Sequence, residues 1–353
     1  MRELSGELDS WYRGGRTFAL ATVTSTLRSA PREVGAVMAV SADGVALGSV
    51  SGGCVEGAVY ELAGEVIATG RPQSAAYGVS DEDALMAGLT CGGTLEVLVE
   101  PVDAHCYPEF AELLAALDDG RPVAVATVVA ARDGERVGRR ALSGGPGALA
   151  ACADRMLAAG ASGIMEGPDD DTVFVHVHLP RPRLLVFGSN DYASAVAEAA
   201  VFTGFHVTVC DARAAFATPE RFPRVDELVV DWPDRYLART RVDERTAICV
   251  LTHDPKFDVP LLERALRMPV AYVGAMGSRR AHDDRTARLR EAGVAEEELA
   301  RLHSPIGLAL GARSPRETAI AVLAEVVKVT RGGTGGHLAH AEGRIHPEPV
   351  PVG

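Results

Sequence analysis

Aromatic side chains are scarce in this chain: Phe, Trp and Tyr make up 5% of 353 residues, with 2 tryptophans. Abundant Ala, Val and Gly take their place, which suits α/β packing with small residues at close approaches. Cysteine is sparse as well. The 6 cysteines (Cys54, Cys91, Cys106, Cys152, Cys210 and Cys249) show no CxxC spacing, which argues against a disulfide framework or zinc knuckle and for free thiols. Four of them sit in apolar or ordinary settings and read as packing residues, whereas Cys54 and Cys91 have glycine neighbours. Excess positive charge is missing: the formal net charge of −13 argues against nucleic acid or an anionic membrane as the main partner. There is no uninterrupted apolar run of about 18 residues and no apolar signal core in Met1–Glu7, so a soluble, cytoplasmic protein is expected. The length exceeds the roughly 250–300 residues at which single cores stop growing, so two domains are expected.

What is present begins with Gly48-Ser49-Val50-Ser51-Gly52-Gly53-Cys54-Val55-Glu56. An apolar run reaches this stretch from Ala36, and a helical stripe (Val55, Ala58, Val59, Leu62, Ala63, Val66, Ile67) leaves it towards Thr69. It reads as strand, glycine turn, helix, with a thiol at the helix start. Freed amides at a helix N-terminus attract anions, and the same field favours a cysteine thiolate, a nucleophile and soft metal ligand. The competing reading is a tight turn followed by a small buried cysteine. An echo at Gly88-Leu89-Thr90-Cys91-Gly92-Gly93-Thr94 favours the thiol site. Glu56 falls in the first turn, where a carboxylate suits the helix dipole. Arg32, in Pro31-Arg32-Glu33, lies between two strands, where its fork could reach a phosphate or carboxylate. His176 and His178 alternate with Val and Phe on a strand and read as its solvated face rather than a metal site.

The pattern changes at Pro180-Arg181-Pro182-Arg183, a stiff connector. Beyond it, a strand at Leu184–Phe187, the turn Gly188-Ser189-Asn190-Asp191, a small-residue helix, a second strand and Asp211 form a βαβ unit. This is the dinucleotide fingerprint in degraded form, because Asn190 stands where a second glycine is usual. Thr252-His253-Asp254-Pro255-Lys256 and Gly274-Ala275-Met276-Gly277-Ser278-Arg279-Arg280 follow further strands at the ends where open α/β sheets bind ligands, and Gly277, Ser278 and Arg279 at a helix start suit an anion. The expected architecture is therefore α/β: an N-terminal mixed α/β domain over residues 1–180, a Rossmann-like doubly wound parallel sheet over 181–330, and a disordered tail of Gly, His and Pro over 331–353.

Ser29-Ala30-Pro31-Arg32 with Gly35-Ala36, the Gly48–Glu56 block and Thr90-Cys91-Gly92-Gly93-Thr94 resemble the N-terminal half of the xanthine dehydrogenase accessory family, XdhC/CoxI. Pro182 to Asp211, Thr252 to Lys256, Tyr272 to Arg280 and His303 to Pro315 resemble its C-terminal half. The resemblance implies an accessory factor rather than a turnover enzyme. Such a factor binds the molybdenum cofactor (molybdopterin), promotes its sulfuration with a cysteine desulfurase, and hands it to an apo xanthine dehydrogenase-type molybdenum hydroxylase. It also implies a homodimer. Cys54 would be the sulfur and molybdenum contact, Cys91 a second thiol, Arg32 a phosphate contact, and Ser51, Gly52, Gly53, Glu56, Gly92 and Gly93 the cradle. Gly188, Asp211, His253, Asp254, Gly277, Ser278 and Arg279 complete the candidate cofactor set. The sequence departs from the family's usual Gly-Ala-Gly-His type of turn at Gly188–Asp191, which weighs against NAD(P) and against the rival reading, an NAD(P)-dependent oxidoreductase.

Overall fold

The computed structural model describes residues 1–27, 32–78 and 93–340. They fall into two compact units, residues 1–180 and the residues from Arg181 onward. No helix of the described residues is long and apolar enough to cross a membrane.

The first unit holds two antiparallel sheets. One has five strands in the order β3-β2-β1-β5-β4, the other four in the order β7-β6-β9-β8. The first sheet comprises β1 (Phe18–Leu27), β2 (Val37–Ser41), β3 (Ala46–Gly48), β4 (Gln73–Tyr77) and β5 (Thr94–Val102). The second comprises β6 (Val123–Ala130), β7 (Arg140–Leu142), β8 (Gly163–Glu166) and β9 (Thr172–His178). Among the described residues four helices accompany them: α1 (Ser5–Arg13), α2 (Glu56–Thr69), α3 (Phe110–Asp118) and α4 (Ala148–Ala159). Alternation sorts each strand between two cores. Phe18 and Leu20 of β1 join Leu8, Phe110, Val123 and Val125 in a core that spans both sheets together with α1 and α3. Ala19, Ala21 and Val23 face the opposite way and pack with Val59, Ala63 and Val66 of α2. The second sheet repeats the scheme, its outer face covered by Cys152 and Ala153 of α4.

This layering overturns the expected solvated face of β9. His178 is buried and His176 half-buried, their rings 3.9 Å apart, and both line a pocket with Thr22, Glu100, Tyr107 and Thr127. Period-two alternation marks a face of a strand but not what covers it, and here a second sheet does. Burial depresses His176 to about 3, and burial, then the neighbouring His176, lowers His178 well below the usual range. Glu100 in the same region pairs with Arg140 at 2.7 Å.

The second unit is a six-stranded sheet whose strands all pair in parallel, in the order β12-β11-β10-β13-β14-β15. The strands are β10 (Arg183–Phe187), β11 (His206–Asp211), β12 (Glu227–Val230), β13 (Ala247–Val250), β14 (Tyr272–Ala275) and β15 (Leu302–His303). Counted from β10, this is the 3-2-1-4-5-6 order of the Rossmann fold, with its switch point between β10 and β13. The helices are α5 (Asp191–Phe202), α6 (Pro233–Arg239), α7 (Pro255–Ala265), α8 (Arg279–Glu291), the short α9 (Glu296–Leu299) and α10 (Pro315–Arg331). Leu184 and Val186 pack under α5 and α10, while Leu185 and Phe187 face α6 and α7. Such two-sided burial is why these strands read as continuous apolar runs. Residues 331–340 include a 3-10 turn at Leu338–His340, and the tail from residue 341 lies outside the described residues.

Candidate functional site

Strand register gathers the N-terminal candidates at one end of the five-stranded sheet. Met38 pairs with Gly48, and the Ser49 amide donates to the Val37 carbonyl at 3.0 Å, so the chain leaving β3 starts beside the chain entering β2. Leu27 pairs with Thr94 and Tyr77 with Leu95, placing the end of β1, the end of β4 and the start of β5 at that same end. The β1–β2 connection with exposed Arg32, the β3–α2 loop with Cys54, and buried Gly93 ahead of β5 therefore all emerge there. Cys91, Gly92 and Ser29-Ala30-Pro31 lie outside the described residues.

The β3–α2 loop is built around a carboxylate. Glu56 accepts the amides of Ser51 (2.9 Å), Gly52 (3.0 Å), Gly53 (2.8 Å) and Val55 (3.2 Å). It also accepts the hydroxyls of Ser49 (2.6 Å) and Ser51 (2.5 Å). Burial works against the charge, but these hydrogen bonds prevail and hold Glu56 down to about 2. The amides of Ser51, Gly52 and Gly53, expected to cradle an anion, thus find that anion within the chain. Helix α2 opens at Glu56 rather than at Cys54, a correction to the expected boundary. The Cys54 amide donates to Ser51 Oγ at 2.9 Å, and Cys54 packs half-buried beside the α2 core. Gly52 and Gly53 have φ of +78° and +121°, and a Cβ at either would meet nothing within 4 Å. The glycines are required by backbone conformation, and the space outside them is open. Elsewhere, burial pushes Cys210 and Cys249 up to about 12 and raises Cys106. Among the described residues no group of three or more His, Cys, Asp or Glu side chains could hold a metal ion.

In the second unit the candidates follow adjacent parallel strands. Phe187 pairs with Val250, and Val250 with Ala275, so Gly188, His253 with Asp254, and Gly277 with Ser278 and Arg279 share the carboxyl edge of the sheet. At the switch point itself the crevice is bridged. Asn190 caps α5 by accepting the Ala193 amide at 2.9 Å, and its Nδ2 donates across to the Leu251 carbonyl at 2.8 Å. Gly188, at φ +119°, lies so close to Leu251 that an added Cβ would sit 3.1 Å from its carbonyl carbon. Asp211, at the position of a ribose-binding acid, accepts Ser189 Oγ at 2.7 Å and Arg213 Nη2 at 2.7 Å. Asp254 and Ser278 act as N-caps, accepting the amides of Lys256 and Ala281.

Sequence reading missed what fixes these loops. Asp258 and Arg285 form a buried ion pair at 3.1 Å. Arg285 also donates to Met276 O at 2.7 Å and Ser304 Oγ at 3.0 Å, and Thr252 Oγ1 donates to Asp258. One pair thereby ties together the loops after β13, β14 and β15. Its members lie 27 residues apart, and only the burial of both marks them.

Residues 184–326 match the XdhC Rossmann domain, and residues 11–78 match the XdhC and CoxI family. This protein belongs to the XdhC/CoxI family. An XdhC-like fold is found in a solved Bacillus halodurans protein described as a xanthine dehydrogenase, with TM-score 0.75, 25% identity, and coverage of 96% of this chain and 97% of that one. A Bacillus subtilis protein named as a probable xanthine dehydrogenase subunit is 27% identical over 334 residues, 92% of this chain and 96% of that protein. The molybdenum cofactor insertion chaperone PaoD of Escherichia coli is 29% identical over 315 residues, 89% of this chain and 84% of that protein. YqeB of Escherichia coli is 37% identical over 166 residues, which span 47% of this chain and 30% of YqeB.

Proposed function

We propose that this XdhC-family protein binds the molybdenum cofactor as cargo, promotes its sulfuration with a cysteine desulfurase, and delivers it to an apo xanthine dehydrogenase-type molybdenum hydroxylase. It acts in the cytoplasm as a homodimer and does not itself turn over substrate. The observation that carries this reading is the meeting of the Arg32 connection, the Cys54 loop and Gly93 at one end of one sheet. A pterin dithiolene offers a soft metal-sulfur end and a phosphate end. Cys54 suits the first as a soft donor, and exposed Arg32 suits the second. Because Glu56 already holds the loop amides, the loop recognises its cargo through the thiol and the open flank of Gly52 and Gly53. Cys91 supplies a second thiol next to Gly92 and Gly93. Gly188, Asp211, His253, Asp254, Gly277, Ser278 and Arg279 form a second candidate surface in the Rossmann unit. The Asn190 bridge weighs against a dinucleotide there. The name of PaoD gives the same role to a relative.

The test compares wild type with Cys54→Ser and Arg32→Ala, each purified from a cofactor-producing host. Bound pterin is measured by fluorescence after oxidation, and activation of an apo hydroxylase is measured separately. Both variants should carry less pterin and activate less. Equal loading and equal activation by Cys54→Ser would remove the thiol from the site.

A further inference from the structure

Helix α10 packs one face on its own unit and leaves a second apolar seam outside. Ala319, Val322, Leu323 and Val326 are buried in the core it shares with α5. On the outer side Ile320 is 62% and Val327 44% exposed, with half-buried Ala324 between them and exposed Glu317 and Arg331 at the two ends. The positions 317, 320, 324, 327 and 331 alternate steps of three and four, the spacing of a helix-helix seam. Exposed apolar side chains are ordinary when scattered, but a continuous stripe on a regular helix marks a contact surface.

The order of charges along this stripe selects its occupant. Glu317 and Arg331 lie the same distance, seven residues, on either side of Ala324. A second copy of α10 laid antiparallel, with a two-fold axis at Ala324, sets Glu317 of each chain opposite Arg331 of the other. It also sets Ile320 within one residue, about 1.5 Å of rise, of Val327 of the second copy. One oxygen of Glu317 already accepts the Arg313 and Ser314 amides at 2.9 Å each, and such an isologous contact brings Arg331 of the second copy to its other oxygen, while the small Ala324 lets the two backbones approach at the axis. A parallel pairing would instead oppose like charges at both ends. One helix pair falls short of the roughly 1,000 Å² that marks a stable interface. The neighbouring α5, which shares its core with α10, carries a further exposed apolar ring, Phe202, at 91% exposure.

We infer that the outer seam of α10 is the homodimer contact of this protein, formed by antiparallel pairing of the helix with itself about Ala324. The inference deepens the homodimer part of the function proposed above and rests on no cofactor, so its test reads only the association state.

Sedimentation velocity of the full chain should show a dimer for wild type and a monomer for Ile320→Glu/Val327→Glu. The far-UV spectrum of this variant should match wild type, because both side chains are exposed, while its melting temperature should lose the dependence on protein concentration that a dimer shows. Arg331→Glu, which faces Glu317 with a like charge, should weaken association at least ~10-fold. Under mild oxidation Ala324→Cys should cross-link two chains, whereas Arg316→Cys should not, since its two copies would lie about 24 Å apart along the pair. A monomeric wild type, a dimer indifferent to Ile320→Glu/Val327→Glu, or equal cross-linking at both positions would overturn the inference. A monomeric wild type whose activation of the hydroxylase is lost in Ile320→Glu/Val327→Glu would also overturn it, and would assign the seam to the hydroxylase.

Discussion

Replacing Glu56 with Gln keeps the shape of the side chain and removes the charge that orders the β3–α2 loop. In the wild type the carboxylate receives four amides and two hydroxyls; in the variant one oxygen becomes a donor turned towards donors. The drop from 4.5 to about 2, at about 1.4 kcal/mol per pH unit, sets a ceiling of roughly 3.4 kcal/mol on the charge-dependent part. The loop is half open to solvent, and screening lowers that figure to about 1–2 kcal/mol. The sign follows from linkage. Glu56 binds its proton more weakly folded than unfolded, so its stabilisation is complete above pH 4.5 and is lost as pH falls towards 2. Denaturant unfolding reported by Trp11, in a Trp232→Phe background, isolates the first unit. Glu56→Gln should be about 1–2 kcal/mol less stable at pH 7 and lose less than wild type below pH 4.5. Hydrogen exchange at the amides of Ser51 to Val55 should quicken in parallel. Equal unfolding midpoints at pH 7 together with unchanged exchange in the loop would refute the idea that this carboxylate holds the Cys54 loop.

Arg285→Met should cost the second unit about 3–5 kcal/mol, because Asp258 stays buried without its cation. Arg285→Met/Asp258→Leu should recover most of the loss, and unfolding followed at Trp232 reads both; a single variant as stable as wild type would show that the pair does not hold the three loops. Acid should weaken the first unit well before its carboxylates titrate, since His176 and His178 are held neutral by burial and gain protons only when unfolded. The loss begins as pH falls through 6.5 and reaches at most about 1.4 kcal/mol per pH unit for each histidine. Urea midpoints between pH 7 and 5 check it, and a flat profile there would contradict the buried placement.

The parallel sheet was legible because its central strands are short apolar runs, and burial on both faces leaves each run uninterrupted. Leu184–Phe187, buried throughout and followed by Gly188, is marked in this way. The region from Gly134 to Thr172 was not. Strands β7 and β8 have three and four residues, too short for a period to establish itself, and α4 is alanine-rich, so its buried and exposed sides differ little in composition. The antiparallel pairing of the first unit was equally hidden, for register depends on partners far away in sequence. The misread histidines follow from the same limit: a strand shows which residues share a face, and only the opposing sheet determines whether that face is wet.

Which loops meet was partly legible in the site. Glycines just ahead of Cys54 marked a loop under conformational demand, and the structure supplies that demand in the positive φ of Gly52 and Gly53. The acceptor that organises the loop sits two residues beyond the thiol, where a glutamate in the first turn of a helix has an ordinary explanation in the helix dipole. Dipole stabilisation is worth at most about 1 kcal/mol at such a surface position, and it cannot by itself hold a carboxylate at about 2. The hydrogen bonds from Ser49, Ser51, Gly52, Gly53 and Val55 can. The serines and glycines of this stretch therefore serve the carboxylate first, and through it fix where the Cys54 thiol stands. A loop ordered in this way by its own carboxylate would avoid the entropic cost of ordering itself around the proposed cargo. Under the proposed function, chemical selectivity at that end of the sheet falls to the sulfur of Cys54 and the charge of Arg32, which makes substitutions at these two positions, rather than at the glycines, the informative tests of recognition.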